Sequence, residues 1–267
     1  MSNVNEILTL IEETKQDAKY DVYIPSKSET YQLLPLNAND QKNLVKALVD
    51  SPIYSNETNV KFGQMIPTIL PPELNINELT TFDKMLIALA VRIENIQDDY
   101  TVQLKDADDN KFEKTISLSK HMEKIGKVKH PTPKEIEVGE YKSTLSVPSI
   151  AQDLEFEMYL AQAASQIKNN DEKGLRGMIS TFYMINILRY IETVTIKETE
   201  IPFRTLPLAE KIQIGQSLLS KFTREVVSTI DSHFGKEAMD VITFKFTKDG
   251  EEYEEAISID NTFFMAS

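Results

Sequence analysis

The residue types that most often carry catalysis are scarce in this chain and lie far apart in its sequence. The chain has no cysteine and three histidines, His121, His130 and His233, none within four residues of another. Local metal sites need closely spaced ligands, and a serine–histidine–aspartate triad cannot be assembled with any confidence from histidines scattered in this way. We expect each histidine to be a surface or boundary residue. Without cysteine, disulfides, thiolate nucleophiles and cysteine-based metal sites cannot form.

Acidic residues are abundant instead, with 42 Asp and Glu against 29 Lys and Arg and a net charge of −13. Residues 106–110 have the acidic character of a calcium loop, but they do not fit the sixth-position glycine and twelfth-position glutamate of an EF-hand. We interpret them as a polar hairpin tip, and Asp249–Glu255 as a solvated turn. A hydrolase with two paired carboxylates stays an alternative, although in so acidic a chain any chosen pair is uninformative.

Glycine-rich phosphate sites are missing as well. The 8 glycines form neither G-x-G-x-x-G nor G-x-x-x-x-G-K-[ST], and the G-x-S-x-G turn of many hydrolases is absent. The acidic charge argues against nucleic acid as a partner, because that affinity depends on Lys and Arg. No apolar run approaches the roughly 20 residues that cross a bilayer. We therefore predict no enzyme activity, no cofactor, no bound metal and no membrane span.

The first residues predict a helix at the edge of the molecule. Asn3 is a suitable N-cap, with Glu6 three residues later, and the helix should end near Lys19. Its apolar side chains recur at the spacing of one helical face, at Val4, Ile7, Leu8 and Ile11. At the end of the chain, such a helix is a candidate arm for contacting a partner.

Strands and a second helix are predicted next. Residues 20–24 and 30–34 have the composition and alternation of two paired strands. A helix should begin after Asn37 and end at Pro52, since proline cannot continue it. Three prolines downstream of Val60 argue against one long regular helix or strand there. We expect a loop after Val60, and this loop is a candidate for contact with a partner protein.

The strongest helix start in the chain is Thr80 with Asp83, because the two side chains can each satisfy a free N–H at the helix N-terminus. One apolar stripe follows over about four turns. It consists of Phe82, Met85, Leu86, Leu89, Ile93 and Ile96. Arg92 lies within this stripe, where an arginine pairs with a carboxylate such as Glu94 or Asp98, or takes part in an interface.

Two hairpins are predicted, each after a long helix. The second turns at Asp249-Gly250, a strong hairpin signal. The returning strands match as Phe112-x-x-x-Ile116-Ser117-Leu118 and Tyr253-x-x-x-Ile257-Ser258-Ile259. Either a helix-and-hairpin unit occurs twice or the match is due to chance. After the second hairpin, Phe263-Phe264 either folds back onto the core or docks into a partner.

Three helices are predicted in the second half. The first has its apolar face at Ile150, Leu154, Met158 and Ala161. The second is apolar on most sides, through Leu175, Ile179, Phe182, Ile185 and Leu188, and is predicted to be the buried centre of a helical bundle. The third should begin at Pro207, run for about 25 residues and end at Gly235.

These elements predict an α+β fold of helices with small β-hairpins. Residues 1–125 would form an N-terminal mixed α/β domain, and residues 150–267 a C-terminal helical bundle ending in a hairpin. Residues 126–149 are rich in glycine and proline. They are either a linker between the two or a pair of short strands, 135–138 and 141–145.

Several segments resemble the baseplate proteins of T-even-type contractile-tailed phages. Near the start these are Tyr23-Ile24-Pro25-Ser26, Leu34-Pro35-Leu36 and Gln41-Lys42. The central helix of that family is similar to Leu79-Thr80-x-x-Asp83-Lys84, continuing to Arg92. Its C-terminal strand and aromatic pair are similar to Ile257-Ser258-Ile259 and Phe263-Phe264. Some members carry a serine and a glycine after the central arginine, or paired cysteines in the hairpins. This chain has Glu94-Asn95 and no cysteine, so the zinc of such members is not implied here.

The resemblance implies a structural subunit at or near the baseplate hub, with other baseplate or hub proteins as partners. Its location would be the virion tail, and the host cytoplasm during assembly. A hub assembly chaperone that is absent from the mature virion is the closest alternative, and a hydrolase acting through acidic residues is the next. The oligomeric state stays open. We expect the interface to include Ile7, Leu8, Ile11, Arg92, Phe263 and Phe264.

Overall fold

The computed structural model describes residues 2–50, 57–105, 110–165, 172–259 and 263–264 of the chain. Within these ranges helices alternate with small antiparallel sheets, which confirms the predicted α+β class. In this described part, no helix combines the length and the hydropathy that a bilayer crossing demands.

Helices occur along the whole chain. In the first half they are α1 (Ser2–Asp17), α2 (Ala38–Asp50), α3 (Glu57–Ile69), α4 (Thr81–Asn95) and α5 (Leu118–Ile125). In the second half they are α6 (Ile150–Ser165), α7 (Glu172–Leu188), α8 (Leu208–Ser217), α9 (Ser220–Thr229) and α10 (Lys236–Ile242). A short 3-10 turn covers Phe203–Thr205, and a π-helical segment, Ile230–Gly235, joins α9 to α10.

The strands form hairpins and one larger sheet. The hairpins are β1 (Tyr20–Ile24) with β2 (Glu29–Leu33), β3 (Asp99–Lys105) with β4 (Lys111–Ser117), and β9 (Thr243–Lys248) with β10 (Glu251–Ala256). The larger sheet is antiparallel and contains β5 (Lys134–Val138), β6 (Tyr141–Leu145), β7 (Ile191–Ile196) and β8 (Thr199–Ile201), in that order. All three hairpins confirm the sequence predictions. Asp249 and Gly250 both have positive φ, as a two-residue hairpin turn requires.

Of the two alternatives for residues 126–149, the paired strands are confirmed, since β5 pairs with β6. β6 also pairs with β7, where Ser143 lies opposite Val194 and its hydroxyl donates to the carbonyl of Thr193 at 2.7 Å. The sheet therefore joins the chain before residue 150 to the chain after it. One cluster of buried hydrophobic residues includes members from both halves. The division into two domains stays a prediction.

α4 begins with the predicted capping box. The hydroxyl of Thr80 accepts a hydrogen bond from the N–H of Asp83, and the Asp83 carboxylate accepts from the N–H of Thr80 at 2.6 Å. Asp83 also accepts from the N–H of Ser26 at 2.9 Å. Its side chain is fully buried, and these N–H donors replace the water it has lost. The cap therefore ties α4 to the turn between β1 and β2.

In the first half of the chain, α3 is the main difference between the structure and the sequence prediction. Contrary to the expected loop after Val60, residues 57–69 form one helix with Pro67 inside it. Pro67 lies in the last turn, so the hydrogen bond that it cannot donate is one of the last in the helix, and any kink affects only the two helical residues that follow it. Phe62 and Ile66 are buried, so this segment belongs to the core and is not a contact loop.

Two element boundaries in the first half also differ from the sequence prediction. α1 includes Ser2, so Asn3 lies inside the helix and does not cap it. Leu118 begins α5 and does not continue the strand β4. The hydroxyl of Ser117 accepts from the N–H of Lys120 at 3.2 Å, and this cap turns the chain from strand to helix. The predicted tip of this hairpin, residues 106–109, and the predicted helix stop at Pro52 lie outside the described residues.

The long helix predicted from Pro207 to Gly235 is broken. α8 ends at Ser217 because Leu218 and Leu219 both adopt extended backbone angles. Gly235 keeps right-handed helical angles, so the chain continues into α10 and does not end there. Within α8, an added Cβ on Gly215 would lie 2.7 Å from Cδ1 of Leu188. This close approach sets how α8 packs on α7.

α6 buries a face that coincides only in part with the predicted one. Ile150 is buried and Leu154 and Ala161 are half-buried, in agreement with the prediction. Met158 is 49% exposed, whereas Asp153, Phe156 and Glu157 are buried. The apolar pattern missed this face because two of these three side chains are acidic.

The buried carboxylates of α6 face two cations. Arg189 Nη1 lies 2.6 Å from Asp153 Oδ1 and 3.2 Å from Glu157 Oε1, and Lys84 Nζ lies 3.1 Å from Asp153 Oδ2. Two negative and two positive groups make this cluster neutral, which limits the cost of removing them from water. Because Lys84 is on α4 and Arg189 directly follows α7, the cluster connects three helices.

The two hairpins that match in sequence pack against each other. The ring of Phe112 lies 5.4 Å from that of Tyr253, in an edge-on arrangement, and Lys248 Nζ lies 3.7 Å from the centre of the Phe112 ring. The hydroxyl of Tyr100 accepts from the N–H of Ser258 at 3.1 Å. Phe112 and Tyr253, which occupy equivalent positions of the match, therefore meet in the fold. An internal duplication stays a prediction.

The position of Asp153 in this charge cluster predicts that its substitution strongly lowers the stability of the protein. Asp153→Ala leaves the two cations, Lys84 and Arg189, with the single carboxylate of Glu157 between them. We expect it to lower the free energy of unfolding by about 3–5 kcal/mol. Gln162→Ala, at an exposed site on the same helix, should change it by less than about 0.5 kcal/mol. Urea unfolding followed by circular dichroism measures both. A loss below about 1 kcal/mol for Asp153→Ala would contradict the structural role of this cluster.

Two glycines within helices should respond in opposite directions to alanine. Gly215→Ala forces the buried Leu188 aside and should cost about 1–3 kcal/mol. For Gly177, in α7, no described atom outside its own helix backbone and chain neighbours lies within 4 Å of the Cβ position. Gly177→Ala should therefore stabilise the protein by about 0.5–1 kcal/mol by restricting the unfolded chain. The melting temperatures of the two variants give the check. An unchanged melting temperature for Gly215→Ala would show that α8 and α7 are not closely packed.

Candidate interaction surface

α1 is an exposed helix. Among its described side chains Lys15 is half-buried and every other one is exposed. The large apolar side chains are each between 46% and 61% exposed, and they are Val4, Ile7, Leu8, Leu10 and Ile11. The predicted interface residues Ile7, Leu8 and Ile11 are therefore on the surface, and their contact with a partner stays a prediction.

The exposure of α1 is energetically unusual. Its 16 residues span about 24 Å, and an isolated helix of this length is only marginally stable in water. Lys15 pairs with Glu12 at 2.7 Å within the helix, but such an exposed pair contributes little. Four apolar side chains lie at positions i, i+3, i+4 and i+7, the spacing of a face that packs against another surface. We call these four residues, Val4, Ile7, Leu8 and Ile11, the α1 stripe.

A second apolar surface lies on α7, and it corrects the sequence prediction. The helix is not the buried centre of a bundle, because Ile179, Phe182 and Tyr183 are 58%, 44% and 57% exposed. Its C-terminal end is buried, through Ile185, Ile187 and Leu188. Apolar residues on most sides predicted burial on most sides, but the neighbouring helices α6, α8 and α9 leave one side open. We call Ile179, Phe182 and Tyr183 the α7 face.

Arg92 is 2% exposed and contacts the C-terminal end of the described chain. Its guanidinium donates to the carbonyl of Phe263 and, at 3.0 Å, to the carbonyl of Asp99. It lies near the rings of Tyr100 and Phe263, 5.4 and 5.3 Å from their centres, where cation–π attraction adds to the hydrogen bonds. Burial lowers the pKa of Arg92, but arginine starts so high that it stays charged.

The two terminal phenylalanines are part of the core. Phe263 is 0% and Phe264 is 3% exposed, and the Phe264 ring lies 4.7 Å from that of Phe62 on α3. Of the two alternatives for this pair, folding back onto the core is therefore the one observed. The prediction of Arg92, Phe263 and Phe264 as exposed interface residues is corrected, because each side chain is covered by this chain's own atoms.

The histidines are used in packing. His121 is buried, contrary to prediction, and its Nε2 lies 2.7 Å from the carbonyl of Val241. His130 Nε2 lies 3.0 Å from the hydroxyl of Thr80, and His233 Nε2 lies 2.8 Å from the carbonyl of Thr132. These two are half-buried boundary residues, as predicted. Across the described ranges, no group of three histidine, aspartate or glutamate side chains could hold a metal ion.

No pattern in the sequence indicated one half-buried and one buried cation, Arg204 and Lys211. Arg204 donates to the hydroxyl of Ser146, which in turn donates to Glu192 at 2.8 Å. Lys211 is 3% exposed, and its Nζ lies 5.7 Å from the centre of the Phe156 ring. Burial lowers the pKa of both cations. Neither stands in a recognisable motif, so only the fold shows how far each is removed from water.

Asp98 is a further polar side chain with a defined structural role. It accepts hydrogen bonds from the hydroxyl of Ser117 at 2.7 Å and from the N–H of Ser119 at 2.7 Å. Burial opposes ionisation of this carboxyl, but these hydrogen bonds outweigh it and lower its pKa. Asp98 therefore holds the start of β3 against the junction of β4 and α5.

Comparisons of this chain with protein-family models, with curated proteins and with solved structures found no match. The interpretation of its surfaces therefore rests on its own residues and contacts.

The different environments of two phenylalanines give a prediction. Phe263→Ala removes a buried ring from contact with Arg92 and Tyr100, and we expect a loss of about 3–5 kcal/mol in the free energy of unfolding. Phe182→Ala, on the α7 face, should cost less than about 1 kcal/mol because the ring is already partly in water. Denaturant unfolding at low protein concentration measures both. Equal losses for the two variants would contradict the burial of Phe263.

Proposed function

We propose that this chain is a structural component of a contractile phage tail baseplate, at or near the hub, and that it acts through protein–protein contacts. The observation that carries this proposal is the α1 stripe, a row of apolar side chains on an exposed helix. The α7 face adds a second apolar surface. The assignment to a phage tail rests on the sequence motifs that resemble baseplate proteins.

Exposed apolar helices suit a subunit of a large assembly. A subunit must be soluble before assembly and then bury apolar area against its neighbours. The net charge of −13 favours solubility and repels the phosphates of DNA, because like charges repel. A helix that extends from the folded part can insert its apolar face into a groove of a neighbour.

A hub assembly chaperone is the closest alternative, since it would use the same surfaces but leave before the particle matures. A hydrolase acting through acidic residues is the second alternative. Asp153 and Glu157 are a buried pair of carboxylates, but both bond to Arg189, so the fold already uses them to hold α6 against the end of α7.

Mass spectrometry of purified virions and isolated baseplates, from the phage that encodes this chain, tests the proposal. We expect the chain in both, in a fixed ratio to the other baseplate proteins, while a phage replication enzyme serves as the negative control. Presence in assembly intermediates with absence from virions would favour the chaperone. Absence from both, together with hydrolysis of a substrate by the purified protein, would overturn the proposal.

A further inference from the structure

We propose that the α1 stripe of one copy of this chain packs antiparallel against the α7 face of a second copy. This inference goes beyond the proposed function, because it concerns self-association and holds or fails whether or not the chain belongs to a phage tail.

The two surfaces correspond in length and in chemistry. The α1 stripe advances seven residues from Val4 to Ile11, and the α7 face advances the same number once Arg176, one turn before Ile179, is added to it. Seven residues are about 10 Å along a helix. The α1 stripe is aliphatic, whereas the α7 face has two aromatic rings, and flat aromatic rings bury aliphatic side chains efficiently. Arg176, also exposed, lies on the same side of α7 as Ile179 and Tyr183.

The distribution of charged residues favours α7 of a second copy as the surface that binds the acidic helix α1. α1 carries Glu6, Glu12, Glu13 and Asp17 against Lys15, and the whole chain has a net charge of −13. Most of the surface of a second copy therefore repels an acidic helix. The sequence from Lys173 to Ile191 contains no Asp or Glu and is the longest such run in the chain. The α7 face lies within it, so no neighbouring carboxylate of its own helix repels α1 there.

The antiparallel orientation follows from the same charges. It brings the acidic C-terminal end of α1, where Glu12 pairs with Lys15 of the same helix, close to the positive charge of Arg176. It also places Val4 beside Tyr183. It also sets the two helix dipoles in opposite directions, which is the favourable arrangement for neighbouring helices.

The attachment of α1 favours a second copy over a contact within one chain. Only Ala18 and Lys19 separate α1 from β1, whose first residue, Tyr20, is 8% exposed and belongs to the core. This short connection fixes the base of α1, and within one molecule both apolar surfaces stay exposed. One helix face is small beside the roughly 800 Å² per partner of a stable interface. A two-fold arrangement makes the contact twice, and we therefore expect concentration-dependent self-association.

Cysteine cross-linking tests the pairing directly, because the natural chain has no cysteine. Leu8→Cys and Ile179→Cys variants are purified separately, mixed and oxidised. We expect a disulfide-linked species of twice the 30.4 kDa chain mass that contains one copy of each variant. Glu13→Cys, on the opposite side of α1, replaces Leu8→Cys in the matched control and should give at least fivefold less of this species.

Two results of the cross-linking overturn the proposal. Equal yields from the Leu8 and Glu13 variants show that the α1 stripe does not meet the α7 face. Predominant linkage of Leu8→Cys to itself shows that α1 pairs with α1.

A charge exchange tests the orientation by sedimentation velocity. Arg176→Glu should weaken self-association at least fivefold, and the added substitution Glu12→Arg should restore it. Both sites are exposed, and thermal unfolding verifies that the variants fold. A wild-type chain that stays monomeric at 100-fold the concentration used for cross-linking overturns the inference, while the baseplate proposal, which is decided by virion composition, is unaffected.

Discussion

One buried charge, the guanidinium of Arg92, holds the C-terminal part of the described chain against the rest of the fold. Removing a cation from water costs several kcal/mol unless good hydrogen bonds replace the lost ones. Here carbonyl groups of Phe263 and Asp99 serve as acceptors, and the rings of Tyr100 and Phe263 flank the charge. The contact with Phe263 joins positions 171 residues apart in the chain. Through it Phe263, the β3–β4 hairpin and α4 are held together, and Phe264 packs against α3.

This contact also determines which apolar groups remain for partners. Phe263 and Phe264 are buried in the protein's own core, although they are the most conspicuous aromatic pair in the sequence. Among the exposed large apolar side chains of the described residues, two groups each lie on one helix, the first on α1 near the start of the chain and the second on α7 in its second half. The partner recognition that we propose for these faces is therefore a packing of helices against each other, which needs no preformed pocket.

Local signals in the sequence predicted most elements correctly. The Thr80–Asp83 capping box, the turn at Asp249-Gly250 and the strand alternation near Tyr20 each depend on side chains a few residues apart, and each is present in the structure. α3 was missed because Pro67 is normally a helix breaker, and its position in the last turn makes it tolerable. The break at Leu218 has no comparable signal, since leucine is a good helix former.

The sequence by itself determined the α+β class, the main hairpins and an amphipathic N-terminal helix, because hydrogen bonding and apolar spacing act over short distances along the chain. Only the tertiary structure decided which apolar faces are covered. Phe182 and Phe263 are the same residue type in similarly apolar surroundings of the sequence, yet one is 44% exposed and the other 0%. Burial depends on which elements meet in space, and the contacts that settle it for Arg92 and Asp153 come from residues distant in the sequence.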